Sequence, residues 1–456
     1  MKRSLLRGLS TLLLAATFFI SASTPLYADV EIQELSKVFD KFTVGGEVNI
    51  FYRYDSNPWF GTDMSNINPG FDSDTDSSYG ETFSRVRFTA TKDIGWAGLS
   101  GQFAPYFAET IGQDFYGVYD NDEKIGIDQA WLKFSKIAGT NLDLTLGRQD
   151  IKLEKWFVVG DGEDQGAANW LYFHSSFPFA VRLDGDFGAV KGSLFYADAG
   201  DYVKDWTDLF AGGPEEGVTL TGLNLHWDIS EKMFIYSGVF NKNEDSATNG
   251  GVGNEDDTTA FDIGVDITFA GLQLEGEYVH EIGDTGISGN ADRDADAFFA
   301  SATYRFDTAM APYVRGMYVS FSGDDPTTTD NEEYDPMFFD FQSWNHWIIG
   351  ELVGEAQLPN QNKNDFILEA GFSPMEPMTI SLMYIKHTLE EKNTSVYGPV
   401  SSDDWANEWN LFVDWPIGDH LFASTCLGVV SPDDAAKEVF GNDDAFFAQL
   451  FLNFSF

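Results

Sequence analysis

One cysteine, Cys426, stands in 456 residues. A single thiol excludes an internal disulfide framework, a cysteine zinc cluster and a CxxC redox motif. Long apolar runs are equally scarce. The run Leu12–Ile20 is too short to cross a bilayer as a helix, and no later stretch approaches the roughly 20 apolar residues that such a helix needs. A helical membrane protein is therefore excluded. Basic residues are few: 27 Lys+Arg stand against 73 Asp+Glu, a formal net charge of −46. A chain with that balance repels polyanions, so no nucleic-acid partner is expected. Catalytic signatures are missing as well. There is no GxSxG elbow, HExxH, P-loop or GxGxxG, and His280-Glu281 lacks the second histidine of a zinc motif.

What is present begins with a secretory pattern. Lys2, Arg3 and Arg7 precede the apolar run, and small residues come after it, up to a cleavage point after Ala28. Removing Met1–Ala28 takes away three bases and no acid, which moves the formal charge from −46 to −49. A disordered acidic chain would be poor in aromatics, yet 16% of this one is Phe, Trp or Tyr. No Pro- or Ser-rich linker marks a domain boundary.

The pattern that organises the chain has period two. Phe261, Ile263, Val265, Ile267 and Phe269 alternate with Asp262, Gly264, Asp266 and Thr268. Leu272, Leu274 and Tyr278 oppose Gln273, Glu275 and Glu277. Val44, Val48, Ile50, Tyr52 and Tyr54 oppose Glu47, Asn49 and Arg53, and Met378, Ile380, Leu382 and Tyr384 form another apolar series. Successive strand residues face opposite ways, so one face of each segment is apolar. Runs of about 10 residues suit a tilted strand crossing a bilayer. Tyr54, Trp96, Trp131, Trp227 and Trp415 fall near strand ends, where an interfacial aromatic girdle sits.

The connections set the strand count. Short links recur at Asp93–Gly98, Lys136–Asn141, Phe187–Ala189, Asp228–Lys232, Phe269–Gly271, Asp307–Ala311, Ser373–Pro377 and Pro416–His420. Longer polar connections lie between them, including Asp55–Gly80, Gln149–Phe177 and Ser322–Lys363. Eight short turns alternating with nine long loops imply an all-β fold: an 18-stranded antiparallel transmembrane β-barrel with short periplasmic turns and long acidic extracellular loops. The expected organisation is a signal peptide over 1–28, a short periplasmic segment over 29–41 and the barrel over 42–456, in the outer membrane. Trp347–Glu355 falls inside the largest loop and reads as a loop excursion. The last strand alternates Phe446, Ala448, Leu450, Leu452, Phe454 and Phe456 to the end. Its terminal Phe456 resembles the signal read by the outer-membrane assembly machinery.

Several stretches, in order, resemble the alginate-export family of outer-membrane porins. They are Gln129-Ala130-Trp131-Leu132, Leu146-Gly147-Arg148-Gln149, Val181-Arg182-Leu183-Asp184, Tyr334-Asp335-Pro336-Met337-Phe338, Glu408-Trp409-Asn410-Leu411 and Asp444-Ala445-Phe446. The resemblance implies an 18-stranded monomeric barrel whose polar lumen is partly covered by loops. Exporters of a polyanion are expected to line the pore with bases, and this chain is acidic overall.

Strand parity sorts the charges. Arg or Lys on the lipid face near the midplane costs about 2–4 kcal/mol, so mid-strand charges are expected to face inward. The expected pore-lining bases are Arg53, Arg85, Arg87, Lys133, Arg182, Lys191, Arg305 and Arg315. The expected acids are Glu47, Asp262, Asp266, Glu275 and Glu277, with Asp143, Asp184, Glu369 and Glu408 also inward. Bases on early strands opposite acids on later ones would create a transverse field that orients solutes. The plainer reading is a structural network of pairs along the wall. His226 and His387 also face inward and read as wall residues before catalytic bases, so no enzyme is expected.

The loops hold the excess negative charge. Ser322–Asn362 contains nine acids, from Asp324 to Glu355, and no Lys or Arg. Such a mouth concentrates cations and suits divalent ions bridging to lipopolysaccharide. Asp72, Asp74 and Asp76 begin like a calcium loop, a candidate for loop-bound Ca or Mg. Ser77 and Phe83 stand where its glycine and closing glutamate belong, so a solvated acidic loop is the plainer reading and no cofactor is expected. The function these features favour is a porin-like channel for passive diffusion of small hydrophilic or charged solutes. Alginate-like polysaccharide export and a scaffold displaying acidic loops to a partner are the alternatives.

Overall fold

The computed structural model describes residues 30–31, 35, 38–62, 76–113, 123–160, 162, 176–202, 215–244, 256–285, 292–339, 349–358, 360–394 and 397–456. Residues 1–28, Asp72, Asp74 and Trp347 lie outside them. No helix among the described residues is long and apolar enough to cross a membrane, and the crossing is made by strands.

A two-residue strand, β1 (Val30–Glu31), precedes the barrel. The first nine barrel strands are β2 (Lys41–Ser56), β3 (Asp76–Asp93), β4 (Gly98–Gln113), β5 (Glu123–Ser135), β6 (Leu142–Asp150), β7 (Ser176–Asp186), β8 (Val190–Tyr202), β9 (Glu215–Ser230) and β10 (Met233–Glu244). The other nine are β11 (Asp256–Phe269), β12 (Leu272–Thr285), β13 (Asp292–Arg305), β14 (Tyr313–Phe321), β15 (Lys363–Met375), β16 (Met378–Leu389), β17 (Asp404–Ile417), β18 (Leu421–Pro432) and β19 (Ala445–Ser455). Each pairs antiparallel with its sequence neighbours. β19 pairs with β2, from Phe446 opposite Ser56 to Ser455 opposite Glu47, which closes the ring at 18 strands. All eight short turns fall at one end and the nine long connections at the other, as the spacing predicts. The described part of the Trp347–Glu355 stretch forms no strand. It leads into a π-helical turn, Val353–Gln357.

Alternation does the sorting. On β11, Asp256, Ala260, Asp262 and Asp266 are buried on the inner face, while Phe261, Ile263 and Phe269 are exposed on the outer one. One expectation needs correction. Trp131 does not join the outer girdle. A register shift between Ala104 and Pro105 of β4 puts Asp128 and Gln129 of β5 opposite one position, and the bulge turns Trp131 inward, its indole N–H donating to Gln129 at 3.2 Å. Phe456 ends the outer series packed over Gly46, an outward position of β2. Its backbone exchanges hydrogen bonds of 2.8 and 2.9 Å with Gly46, and its ring is buried where a Cβ on Gly46 would stand 2.5 Å from it. β1 pairs with Val44 and Thr43 of β2, filling the ladder beyond the end of β19.

The resemblance implies a polar lumen partly covered by loops, and the covered part is apolar. In the half nearest the long loops, the inner wall meets ingoing loop segments in an apolar core. Phe157, from the β6–β7 connection, stacks on Phe321 at 5.7 Å and meets Phe299 at 5.2 Å and Phe339 at 5.3 Å. The reason is physical: loop backbone entering a barrel must exclude water by packing or keep it by staying polar, and here aromatics pack.

Placing a cation on the outer face tests the inside–outside assignment. Ile263→Arg is expected to cost about 2–4 kcal/mol and Ile263→Leu almost nothing. The difference is read as a shift in urea midpoint of the refolded barrel in lipid vesicles.

Candidate functional site

The bases of the early strands form one inner wall, and each has a local acid. Arg85 meets Glu47 at 2.6 Å and also Asp128, while Arg87 lies 4.0 Å from the same Glu47. Lys133 meets Asp143 at 2.9 Å, Arg182 donates to Asp184 at 2.8 Å, and Lys191 meets Asp228 at 2.8 Å. Arg305 sits at the periplasmic rim over the Tyr313 ring at 5.0 Å. Arg87, Lys133 and Lys191 keep 31%, 33% and 49% of their side-chain surface accessible. A cavity of about 670 Å³ opens beside Lys191 toward the periplasm, with Asp143, Arg182, Asp184 and His226 also in its lining. Here the structural network of pairs and an accessible polar wall coexist.

Two other expected pore-lining bases are not accessible. Arg315 is buried against Glu369 at 2.5 Å. Arg53 is 1% exposed, bonded to Asp55 at 2.6 Å, and its Nη1 donates to the Glu351 carbonyl at 2.9 Å. It clasps a loop.

The acids of β11 and β12 do face inward, eight or nine strands around the ring from Arg85 and Arg87 of β3 but only three or four from Lys191 of β8, so the bases and acids are not confined to opposite walls. These acids do not line open water. The segment after β6 crosses the lumen and lies on them. Lys155 Nζ reaches Asp266 at 2.8 Å and Glu275 at 2.5 Å. The adjacent Glu154 pairs with His226 Nδ1 at 2.9 Å and accepts from Asn224 at 2.7 Å. Asp262 and Glu277 are 6% and 5% exposed, and Glu277 accepts the Tyr236 hydroxyl at 2.6 Å. Burial alone would depress the Lys155 ammonium, but the hydrogen bonds it donates to Asp266 and Glu275 outweigh it and hold its pKa above the ordinary lysine value. Lys155 was missed by sequence reading because it lies outside any alternating segment, so parity says nothing about it.

The β14–β15 connection enters the barrel at two places. Asp335, fully buried, meets Lys242 of β10 at 2.7 Å, and its N–H donates to Glu281 of β12 at 2.9 Å. Arg293 of β13 adds Asp256 at 3.1 Å and the Glu333 carbonyl at 3.2 Å. Val159 bridges to Phe338, so this loop and the β6–β7 segment touch inside the lumen. Further along, Glu408 of β17 accepts the N–H groups of Glu351 at 2.7 Å and Val353 at 3.1 Å, while Lys363 donates to the Ile349 carbonyl at 3.2 Å. Gly350 (φ +92) lies on His387, where a Cβ would stand 2.6 Å from the ring. Asp335 and Glu351 therefore do not belong to a solvated acidic mouth. They are anchors: Glu351 is held by Arg53 and Glu408, which parity placed on the wall, and Asp335 by Lys242, Arg293 and Glu281, which the sequence reading did not single out.

Of the candidate calcium loop only Asp76 is described, and it accepts from Ser56 at 2.7 Å at the start of β3. Among the described residues no group of three or more His, Cys, Asp or Glu is placed to hold a metal.

The docked loop titrates. Burial pushes the Glu351 carboxyl from 4.5 up to about 7, with Arg53 opposing the rise and Glu408 adding to it. A carboxyl that holds its proton more tightly when docked favours docking below its free value and loses that contribution as pH rises through the docked one. Attachment of residues 349–358 should weaken between pH 4.5 and about 7. Limited proteolysis of this segment should accelerate across that range, and Glu351→Gln should flatten the rise.

The comparisons with known proteins fit this geometry. The family model described as alginate export matches residues 108–408. Among solved structures, OccK5 (OpdH) of Pseudomonas aeruginosa superposes with a TM-score of 0.57 at 11% identity, covering 91% of this chain and 98% of that one. OccAB2 of Acinetobacter baumannii gives 0.58 at 10% identity, covering 92% and 98%. OprD of Pseudomonas aeruginosa gives 0.54 at 11%, covering 92% and 96%. At these identities the likeness is one of fold, the 18-stranded outer-membrane barrel. No curated protein matches the sequence. The family match spans about two thirds of the chain, and the protein belongs to the alginate-export family of outer-membrane β-barrels.

Proposed function

We propose that the protein is a passive channel for small hydrophilic or charged solutes, its path running along the β3–β8 wall into the periplasmic cavity. The observation that carries this reading is a cavity of about 670 Å³ lined by Arg182, Lys191 and Asp143, the partner of Lys133, on the wall that also keeps Arg87 and Lys133 partly accessible, in a barrel whose other inner wall is covered by loop. Residues 1–28 serve as the export signal. Phe456 is read by the assembly machinery before the ring closes, since closure buries it. Catalysis has no part in this reading. His226 is held between Glu154 and Asp228, and His387 lies between Asp365 and Glu408.

Family membership favours a second reading, export of an acidic polysaccharide. The paired acids along the β3–β8 wall weigh against it, because each base that would hold a polyanion already has a carboxylate. Purified, folded barrel in planar bilayers should give discrete conductance steps, and its absence would overturn the channel reading. In a KCl gradient the acidic loops should make it prefer K⁺. That preference should fade toward 1 M salt, where the screening length drops to about 3 Å. Block by oligouronates at low concentration, with no block by neutral sugars of equal length, would favour the export reading.

A further inference from the structure

We propose that Lys155 sets the ionic selectivity of the lumen by masking the carboxylates of the β11–β12 wall. The inference rests on the channel reading. It concerns a residue that belongs to no strand.

Inward positions from Ala260 to Thr268 on β11 and from Gln273 to Val279 on β12 hold Asp262, Asp266, Glu275 and Glu277 and no Lys or Arg. A wall of four acids facing water would make that side of the lumen strongly cation-attracting. The strands supply no base to this stretch, and the loop does. Lys155 reaches across to Asp266 and Glu275, and its ammonium also lies 5.6 Å from the centre of the Phe234 ring. The early-strand wall is already close to neutral through its own pairs. One loop ammonium therefore shifts the balance of the whole periplasmic half.

The backbone shows that this placement is imposed. Glu154 (φ 52) and Trp156 (φ 60), the residues on either side of Lys155, both lie in the left-handed region that disfavours side chains. Glu154 is fixed to Asn224 and His226 of β9, and Lys152 lies over the Trp156 ring at 4.3 Å. The strained turn thus aims one side chain at the acids while its neighbour is tied to a different strand. A segment that only filled space would not need two opposite charges, on adjacent residues, each meeting its complement on the wall.

The experiment compares reversal potentials of wild type, K155Q, K155R, D266N/E275Q and K155Q/D266N/E275Q in a KCl gradient. K155Q should raise the K⁺/Cl⁻ permeability ratio by roughly threefold, the effect of one unit charge acting across several ångströms of high-dielectric lumen. D266N/E275Q should shift the ratio the other way. K155R should keep the wild-type value, and the triple variant should fall between the two extremes. Opposite shifts from K155Q and D266N/E275Q cannot both come from a damaged fold. If K155Q does not assemble, K155R and the triple variant, in which none of the three charges is left without its partner, carry the comparison with wild type. Conducting barrels whose ratios all equal wild type, or shift in one direction, overturn the role of Lys155 and leave the channel standing. A wild-type barrel that does not conduct overturns both.

Discussion

A peptide group in hydrocarbon finds no water, so every N–H and C=O of a spanning strand must be met by another strand. The β19–β2 ladder meets that condition for the whole ring, because it removes the two edges that an open sheet of 18 strands would leave. Length of strand, alternation of faces and the split between short and long connections are all consequences of this closure. Even the end of β19 obeys it, since Phe456 and then β1 continue the ladder along β2.

The same demand acts inside. Three loop segments, 151–160, 334–339 and 349–358, bring backbone into the barrel, and their polar groups are met by charged wall side chains. Asp335 with Lys242, Glu408 with the N–H groups of 351 and 353, and Arg53 with the Glu351 carbonyl are three instances of one solution. Removing one member of such a buried pair strands the other, at a cost of about 3–5 kcal/mol. These charges therefore decide where the loops sit more than how stable the strands are.

The alternation of Phe261 to Phe269 and the eight turns made the barrel legible, because period and spacing are local properties of a sequence. Parity also placed Arg85, Arg182, Asp262 and Glu277 on the inner face. The girdle reading, which rested on position near a strand end, failed at Trp131, which lies beyond the β5 bulge on the same inward face as Lys133. Parity was silent on what covers the inner face. Whether Asp266 meets water or Lys155 depends on a contact between positions 111 residues apart, and no local pattern carries that information. The apolar inner residues Phe299 and Phe321 were the available clue, since a lumen open to water has no use for them.

The filling of one half of the barrel has an electrical consequence. A membrane potential falls most steeply where the conducting water is thinnest. With aromatics and docked loops in the outer half and a cavity in the inner half, most of the drop is concentrated across the loop segments. Lys242, Arg293 and Asp335 sit in that steep region, whereas Lys191 and Asp228 sit where the potential is nearly that of the periplasm. The charges that hold the loops are thus also the ones that a voltage across the membrane pulls on.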